Sequence, residues 1–392
     1  MGFTAFSQRL FQQPVWLVGF RPFFILSFVS GALLPLLWFL FFSNYLTLNS
    51  GITPIQWHAH EMFFGFGWAV LGGFLLTSTK NWVNIRGYHG AILFVLAILW
   101  LVDRLAFLLP SASPAALLFL LHNAFLLLIM ALLLWTLIAN RKNDTYPDNW
   151  QFMVALPLFL LSKSLLLSSE YFEVGWTMAL GLFRLAVAIM LERTLAQFMK
   201  AIFQVEILKN KKLNMAIRLG ILVAVFEAVL PVPVAVAVLA ITALLLLYRF
   251  FFWSPLKGLS RLDLGVMYAG YLSLVLSLFL ECLRLMGKLN LVGDVATHTF
   301  TLFCMGLIIP AMLVRISLGH TGRKVIFTGS DKLAIYIVGL GALLRIVFPQ
   351  IWPTHYQTFI FLSSLCWTIC FLLIGWRITP FLLRPRLDGR EH

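Results

Sequence analysis

The sequence predicts an all-α, polytopic membrane protein: a bundle of about twelve transmembrane helices with both termini in the cytoplasm. Of its 392 residues, 61% are hydrophobic and only 11% are charged, and the mean hydropathy is +0.93. Soluble domains have about 45–50% apolar and about 25% charged residues, so this composition excludes a soluble enzyme. No connecting segment is long enough for a soluble domain, and residues 1–392 therefore read as a single transmembrane domain.

The individual helices are predicted from apolar runs of roughly 20 residues that end at proline, glycine or clustered charges. The seventh and eighth runs are separated only by the Pro231-Val232-Pro233 corner, so this pair is the weakest part of the count. In chain order, the predicted spans are 22–42, 57–79, 90–109, 114–138, 150–169, 175–198, 214–230, 232–252, 263–287, 292–315, 333–348 and 355–377.

The basic residues give the orientation, because lysine and arginine concentrate in cytoplasmic loops. With the N-terminus placed inside, 22 of the 29 basic residues, from Arg9 to Arg390, fall on the cytoplasmic side. The net charge of +14 thus records orientation, and it does not indicate nucleic acid as a partner.

Histidines near the predicted outer ends of two spans are the leading candidates for metal ligands. The second span opens with the sequence WHAHE, in which His58 and Glu61 share a helical face and His60 lies about 200° round from His58. His298 lies at similar depth in the tenth span. Imidazole suits haem iron, copper and zinc, and Met62 or Met305 would add a thioether.

Other ionisable residues fall in or near the outer half of their spans and suggest a polar, partly buried chamber. They are Asp103, Arg104, His122, Lys163, Arg184, Glu227, Glu281 and Arg284. The alternative for any one of these residues is a structural role, in which it hydrogen-bonds or pairs with a neighbouring helix. We interpret His89, His355 and His392 as surface residues.

Two basic segments lie on the predicted cytoplasmic side. The tenth span leaves the membrane in RISLGHTGR, where Arg323 and its neighbours can hold a carboxylate or phosphate, or simply form a basic loop. His320 lies 22 residues from His298, roughly 33 Å along a helix, so it marks a second site or a structural turn. Arg21 is interpreted as a membrane anchor, with a haem propionate or lipid phosphate as alternative partners.

Together these segments resemble the NnrS family. The resemblance rests on GFRPFF at 19–24, WHAHEMFFGF at 57–66, GFLLTSTKNW at 73–82, the His298 segment with RISLGHTGR at 315–323, and RLDG at 386–389. It implies a bacterial inner-membrane protein that contains haem and copper and is linked to the response to nitric oxide. Relatives often have a histidine in the ninth span where this chain has Tyr268, which bears on whether copper is bound.

From the resemblance we expect His58 and His298 to be the axial ligands of a haem, and we expect this haem to be of the b-type. His60 and Glu61 would tune that haem or bind copper, and His320 and Arg323 fall on the family's GHTGR motif. The expected partners are the lipid bilayer, nitric oxide as a ligand and a redox partner.

The competing hypothesis is a secondary transporter of a metal, haem or small anion, for which Arg184 and Glu192 near mid-depth are suitable. A sensor or scaffold is a weaker third hypothesis, because the chain has no soluble signalling domain.

Overall fold

The structure is a computed structural model that describes residues 10–48 and 50–390. Arg9 and His392, two residues considered above, lie outside this part. The described residues form helices joined by turns and loops, with no strand, which confirms the predicted all-α polytopic bundle. The long helices, α1 to α12 in chain order, are Phe20–Phe42, Pro54–Trp82, Ala91–Leu105, Ala115–Ala139, Trp150–Leu167, Phe172–Phe203, Lys211–Ala224, Val232–Phe251, Leu262–Leu285, Val295–His320, Gly329–Ile346 and Tyr356–Leu382.

Eleven of these helices are long and apolar enough to cross a membrane, within the described residues; α3 reaches this length with the 3-10 turn that continues it to Leu108. The exception is α7, which has 14 residues where the sequence predicts a span over 214–230. Beyond Ala224 the chain continues through hydrogen-bonded turns to Leu230, ahead of Pro231, which has no N–H to donate. A Cβ on Gly181 of α6 would lie 2.8 Å from the Cα of Val225, so the chain packs directly on α6 where α7 ends.

The helices group into two units, which are described separately. Unit 1 comprises residues 1–172, 313–326 and 371–392, and unit 2 comprises residues 173–312 and 327–370. In unit 1, α1 packs against α2, α2 against α4 and α5, and α3 against α4. In unit 2, α8 packs against α7 and α9, and the N-terminal half of α10 packs against α9 and α11.

The most enclosed helix of unit 1 is α2, and that of unit 2 is α6. In both, 78% of the most apolar stretch is buried, compared with 39% in α3 and α4. The peripheral helices expose large apolar side chains such as Trp135 and Ile138, which suits a lipid-facing surface. Polar residues carried by α2 therefore lie in the interior of unit 1.

The histidine-bearing helices α2 and α10 share an irregularity. Each has a seven-residue π-helical segment, Glu61–Gly67 in α2 and Thr299–Met305 in α10, followed by a regular 15-residue α-helix. In each helix a histidine, His60 or His298, is the last residue before the π segment. Such segments are rare and frequently occur at functional sites.

Candidate metal centre

The start of α2 places His60 and Glu61 in the interior of unit 1. Thr53 caps the helix: its hydroxyl accepts from the N–H of Gln56, and its own N–H donates to the side chain of Gln56. The π-helical segment then begins at Glu61, and both His60 and Glu61 are buried. Gly65 leaves room for the carboxylate, because a Cβ there would lie 3.0 Å from Oε2 of Glu61.

Three ligand-type side chains from three helices converge in this interior. His60 comes from α2, Asp103 from α3 and His122 from α4, and all three are buried. Oδ1 of Asp103 lies 3.6 Å from Nε2 of His60 and 3.1 Å from Nδ1 of His122. One ligand atom from each residue lies within 4.8 Å of the other two.

The second ring nitrogen of His60 has a carboxylate partner. Nδ1 of His60 lies 2.9 Å from Oε1 of Glu61, and a proton shared there leaves the lone pair on Nε2. Nε2 has no hydrogen-bond partner in the part of the chain that the structure describes. Metal-bound histidines usually donate their other ring N–H to a carboxylate or carbonyl in this way.

Two cations hold the other oxygen of Asp103. Oδ2 accepts from Nη2 of Arg104 and from Nζ of Lys163, at 2.6 Å in both cases. Arg104 also donates from Nε to Oε1 of Glu61 at 2.8 Å, and Lys163 donates to the carbonyl of His122. Two carboxylates are thus balanced by two cations, and Oδ1 of Asp103 is left facing the imidazoles.

Aromatic rings enclose the cluster. The ring of Phe107 lies 4.8 Å from the ring of His60 and 4.5 Å from that of His122, measured between centroids. Trp100 donates its indole N–H to the carbonyl of Gly65 at 3.0 Å and lies under the guanidinium of Arg104. These apolar walls exclude bulk water, which strengthens electrostatic interactions inside the cluster.

The donor set and its spacing suit a transition-metal ion. With metal–ligand bonds of about 2.0 Å, neighbouring ligand atoms of a tetrahedral site lie about 3.3 Å apart. This is close to the 3.6 and 3.1 Å that separate Oδ1 of Asp103 from Nε2 of His60 and Nδ1 of His122. Two imidazoles with one carboxylate suit iron, copper or zinc, and copper binds such sites most tightly among the divalent first-row ions. Within residues 10–48 and 50–390, no other group of three or more His, Cys, Asp or Glu side chains lies close enough to share an ion.

His58 lies on another face of α2. Its half-buried ring stacks on the indole of Trp38, with centroids 4.2 Å apart and 21° between the planes. The helix does not fray at this point, so His58 and His60 face different neighbours, as their angular separation on a helix predicts.

His298 belongs to unit 2, whereas His58 belongs to unit 1. The Nδ1–H of His298 donates to the carbonyl of Asp294 at 2.6 Å, which leaves Nε2 with a lone pair for a metal. The role of His58 and His298 as an axial pair stays a prediction.

The GHTGR motif lies at the opposite end of unit 1 from the metal centre and contacts the RLDG motif. Arg386 donates to the carbonyl of His320 at 2.7 Å, and the N–H of Leu387 donates to the carbonyl of Thr321 at 3.1 Å. Hydrogen bonds from Arg386 lower the pKa of Asp388 to about 2. These contacts give His320 a place in a structural turn, and its role as a metal ligand stays a prediction.

Two further arginines lie at this end. Burial lowers the pKa of Arg323, whose guanidinium lies 4.3 Å from the ring centroid of Phe381. Arg21 of the GFRPFF motif is fully buried and donates from Nη1 to the carbonyls of Leu382 and Arg384, at 2.9 and 2.7 Å. Arg21 thus ties the end of α12 to the start of α1. Binding of a cofactor by Arg323 stays a prediction.

Tyr268, which stands where relatives often have a histidine, has a structural partner in unit 2. Its side chain is fully buried, and its hydroxyl donates to the carbonyl of Trp253 at 2.5 Å. The candidate metal centre in unit 1 does not include this position.

The sequence predicts His60 and Glu61 as candidate ligands. For their partners, Asp103 and His122, it predicts only that they line a polar chamber. Their position along the predicted spans is the one feature that could have linked them to His60, because Asp103, His122 and His60 all lie near the predicted outer ends of their spans. What the sequence could not give was the packing of α3 and α4 around α2, which decides which polar residues meet.

An all-helical bundle with a buried cluster of histidines, carboxylates and compensating cations defines a polytopic membrane protein with a candidate metal centre. The chain belongs to the NnrS family, since the family model described as NnrS protein matches residues 14–386. At the level of the family, it is a membrane protein associated with the response to nitric oxide. No curated protein matches the chain.

Proposed function

We propose that the protein binds a copper ion at His60, Asp103 and His122, and that this centre is what it contributes to the response to nitric oxide. The observation that carries the proposal is the open Nε2 of His60, which faces Oδ1 of Asp103 at 3.6 Å while Glu61 holds the other ring nitrogen. A bound copper ion would supply a one-electron redox centre with an open coordination position for a small ligand such as nitric oxide.

The residues around the ligands keep them in place before metal binds. Glu61 fixes the tautomer and orientation of His60, since it accepts from Nδ1. Arg104 and Lys163 occupy Oδ2 of Asp103, so the carboxylate presents Oδ1 to the imidazoles. Phe107 contacts both imidazole rings and keeps water away from them.

Metal analysis of the purified protein tests the proposal. We expect about one copper per chain in the wild type after growth with copper, and loss of that copper in the His60→Asn and His122→Asn variants. The matched control is His89→Asn, which changes an exposed histidine and should keep the metal. Equal copper content in all four proteins would overturn the proposed site.

A haem bound by His58 and His298 is our second proposal for a cofactor. It is supported by the lone pair on Nε2 of His298 and by the aromatic stacking surface that Trp38 gives to His58. The absorption spectrum of the purified protein should show a Soret band that is lost in His58→Ala and His298→Ala but kept in His355→Ala, which changes an exposed histidine. A protein without that band, or a band that survives both changes, would contradict the proposal.

The proposed cellular setting is the bacterial inner membrane, with a redox partner that exchanges electrons with the metal. Support for the membrane comes from the eleven apolar helices, and support for the bacterial setting comes from the family. Copper and haem content can be measured without any partner, so the tests above are independent of this setting.

A further inference from the structure

Unit 2 contains a second buried charged cluster, formed by Arg184, Glu227 and Glu281. All three side chains are at most 3% exposed. Six of their polar atoms have no hydrogen-bond partner in the described part of the chain: Nε, Nη1 and Nη2 of Arg184, both carboxylate oxygens of Glu227, and Oε2 of Glu281. Leaving a buried polar atom without a partner costs about 1–3 kcal/mol, so such a concentration calls for a missing partner.

The spacing indicates that this partner lies between the side chains. Nη1 of Arg184 and Oε2 of Glu227 are 3.7 Å apart, close enough for charge attraction but too far for a hydrogen bond. Glu281, in contrast, is bound directly by Arg284, with Nη2 and Nε at 2.6 and 2.8 Å from Oε1. Glu227 is therefore the less stabilised carboxylate of the two.

Water fits this mixture of unpaired groups. Arginine only donates and a carboxylate only accepts, whereas water does both and can join them. An anion would meet the negative charges of Glu227 and Glu281, and a cation would meet the positive charges of Arg184 and Arg284. A buried site that is polar and offers several partners is where ordered water is expected.

A partly open cleft lies next to Arg284, which binds a carboxylate of this cluster. The cleft has a volume of about 330 Å³ and is lined by Arg284, Leu289, Leu291, Gly293, Asp294 and Val295. At about 30 Å³ per water molecule, this is room for roughly ten. Arg284 contacts both the cleft and the charged cluster, since it lines the cleft and also binds Glu281.

We propose that Glu227, together with Glu281, is a proton-binding site reached from this cleft through water. A hydrated proton from the cleft adds to the carboxylate of Glu227 and makes it a neutral acid, and the reverse step returns the proton to water; no other bond changes. The charges that face Glu227 are Arg184 from α6, Glu281 and Arg284 from α9, and Asp294 from the segment before α10. Protonation removes one of two neighbouring carboxylate charges from a buried environment, which burial favours.

Infrared spectroscopy during a pH titration tests this site in the full-length protein reconstituted in lipid. Acidification should produce a carbonyl-stretch band of a protonated carboxyl group that shifts in D₂O. Glu227→Gln should remove that band, and Glu170→Gln, which changes an exposed carboxylate just before α6, should keep it. A band of unchanged amplitude in Glu227→Gln would overturn the proposal.

A second measurement uses the unaltered chain, so it does not depend on how the variant folds. A hydrophobic carbodiimide adds to protonated carboxyl groups within membranes, and mass spectrometry locates the adduct. We expect labelling of Glu227 or Glu281 that decreases as the pH rises. The absence of an adduct on both residues, or labelling that does not depend on pH, would overturn the proposal. Neither measurement involves the proposed copper site in unit 1.

Discussion

Asp103 and His60 face each other across a 3.6 Å gap between Oδ1 and Nε2, with a hydrogen-bonded group behind each of them. Glu61 binds the far nitrogen of the imidazole, and Lys163 and Arg104 bind the far oxygen of the carboxylate. The two atoms in the gap are thus held in place by contacts outside it. Such support keeps ligands at the geometry a metal requires.

Removing the carboxylate behind His60 should weaken metal binding without removing a ligand. We expect Glu61→Ala to lower the affinity for copper by roughly 10- to 100-fold, because the imidazole loses the acceptor that fixes its tautomer. Glu61→Gln should have a smaller effect, since an amide oxygen still accepts from Nδ1. Competition with a copper chelator measures the affinity, and Glu173→Ala, which changes an exposed glutamate, serves as the control. Wild-type affinity in Glu61→Ala would show that His60 is not held for a metal.

Removing the cation beside Asp103 should destabilise the fold. Lys163 and Asp103 are both buried and 2.6 Å apart, so Lys163→Met leaves a buried carboxylate with one cation fewer. We expect a loss of about 3–5 kcal/mol in the free energy of unfolding of the metal-free protein, measured by denaturation in detergent. Lys200→Met breaks an exposed ion pair with Glu206 and should leave stability unchanged. Similar stabilities for the two variants would contradict a structural role for Lys163.

The sequence predicted the helices well because apolar runs of membrane length leave few alternatives. The sequence predicts the fourth span at 114–138, and the helix is Ala115–Ala139; it predicts the ninth at 263–287, and the helix is Leu262–Leu285. The prediction of the seventh span at 214–230 is wrong, because the α-helix ends at Ala224. Hydropathy does not reveal the close packing of Gly181 against Val225 at this point.

The candidate site was less predictable than the fold. Helical geometry separates His58 from His60, as the structure does, but it places Glu61 on the face of His58, whereas the carboxylate of Glu61 is hydrogen-bonded to His60. The convergence of Asp103 and His122 on His60 depends on how three helices pack, and that information is not in the spacing of residues along the chain. The same holds for the contact between the GHTGR and RLDG motifs, which lie far apart in sequence.

The turn after α10 and the C-terminal tail that contacts it offer a matched pair of glycine substitutions. Gly322 and Gly389 both have left-handed backbones, with φ of +73° and +70°, so alanine introduces about 1–2 kcal/mol of strain at each. A Cβ at Gly322 would also lie 3.0 Å from Cγ of Asp388, whereas a Cβ at Gly389 meets nothing within 4 Å. We expect hydrogen exchange at the amide of Leu387 to be faster in Gly322→Ala than in Gly389→Ala. Equal rates would show that the contact with Asp388 does not hold the tail.

The pH dependence of this tail follows from Asp388. Arg386 lowers its pKa from 3.8 to about 2, so the contribution of the carboxylate to tail binding is fully present above its ordinary pKa and is lost as the pH falls through about 2. Protection of the Leu387 amide, corrected for intrinsic exchange, should stay constant from about pH 8 to about pH 5. Asp388→Asn should exchange faster throughout this range. A loss of protection within the range in the wild type would contradict the role of Asp388.

X-ray absorption at the copper edge of the loaded, purified protein tests the metal centre most directly. We expect a first shell of nitrogen and oxygen atoms that includes two imidazoles in the wild type, and no such shell in the His122→Asn variant, which should lose the copper. A first shell dominated by sulfur, or a spectrum that is unchanged when His60 and His122 are both replaced, would contradict the assignment of copper to His60, Asp103 and His122.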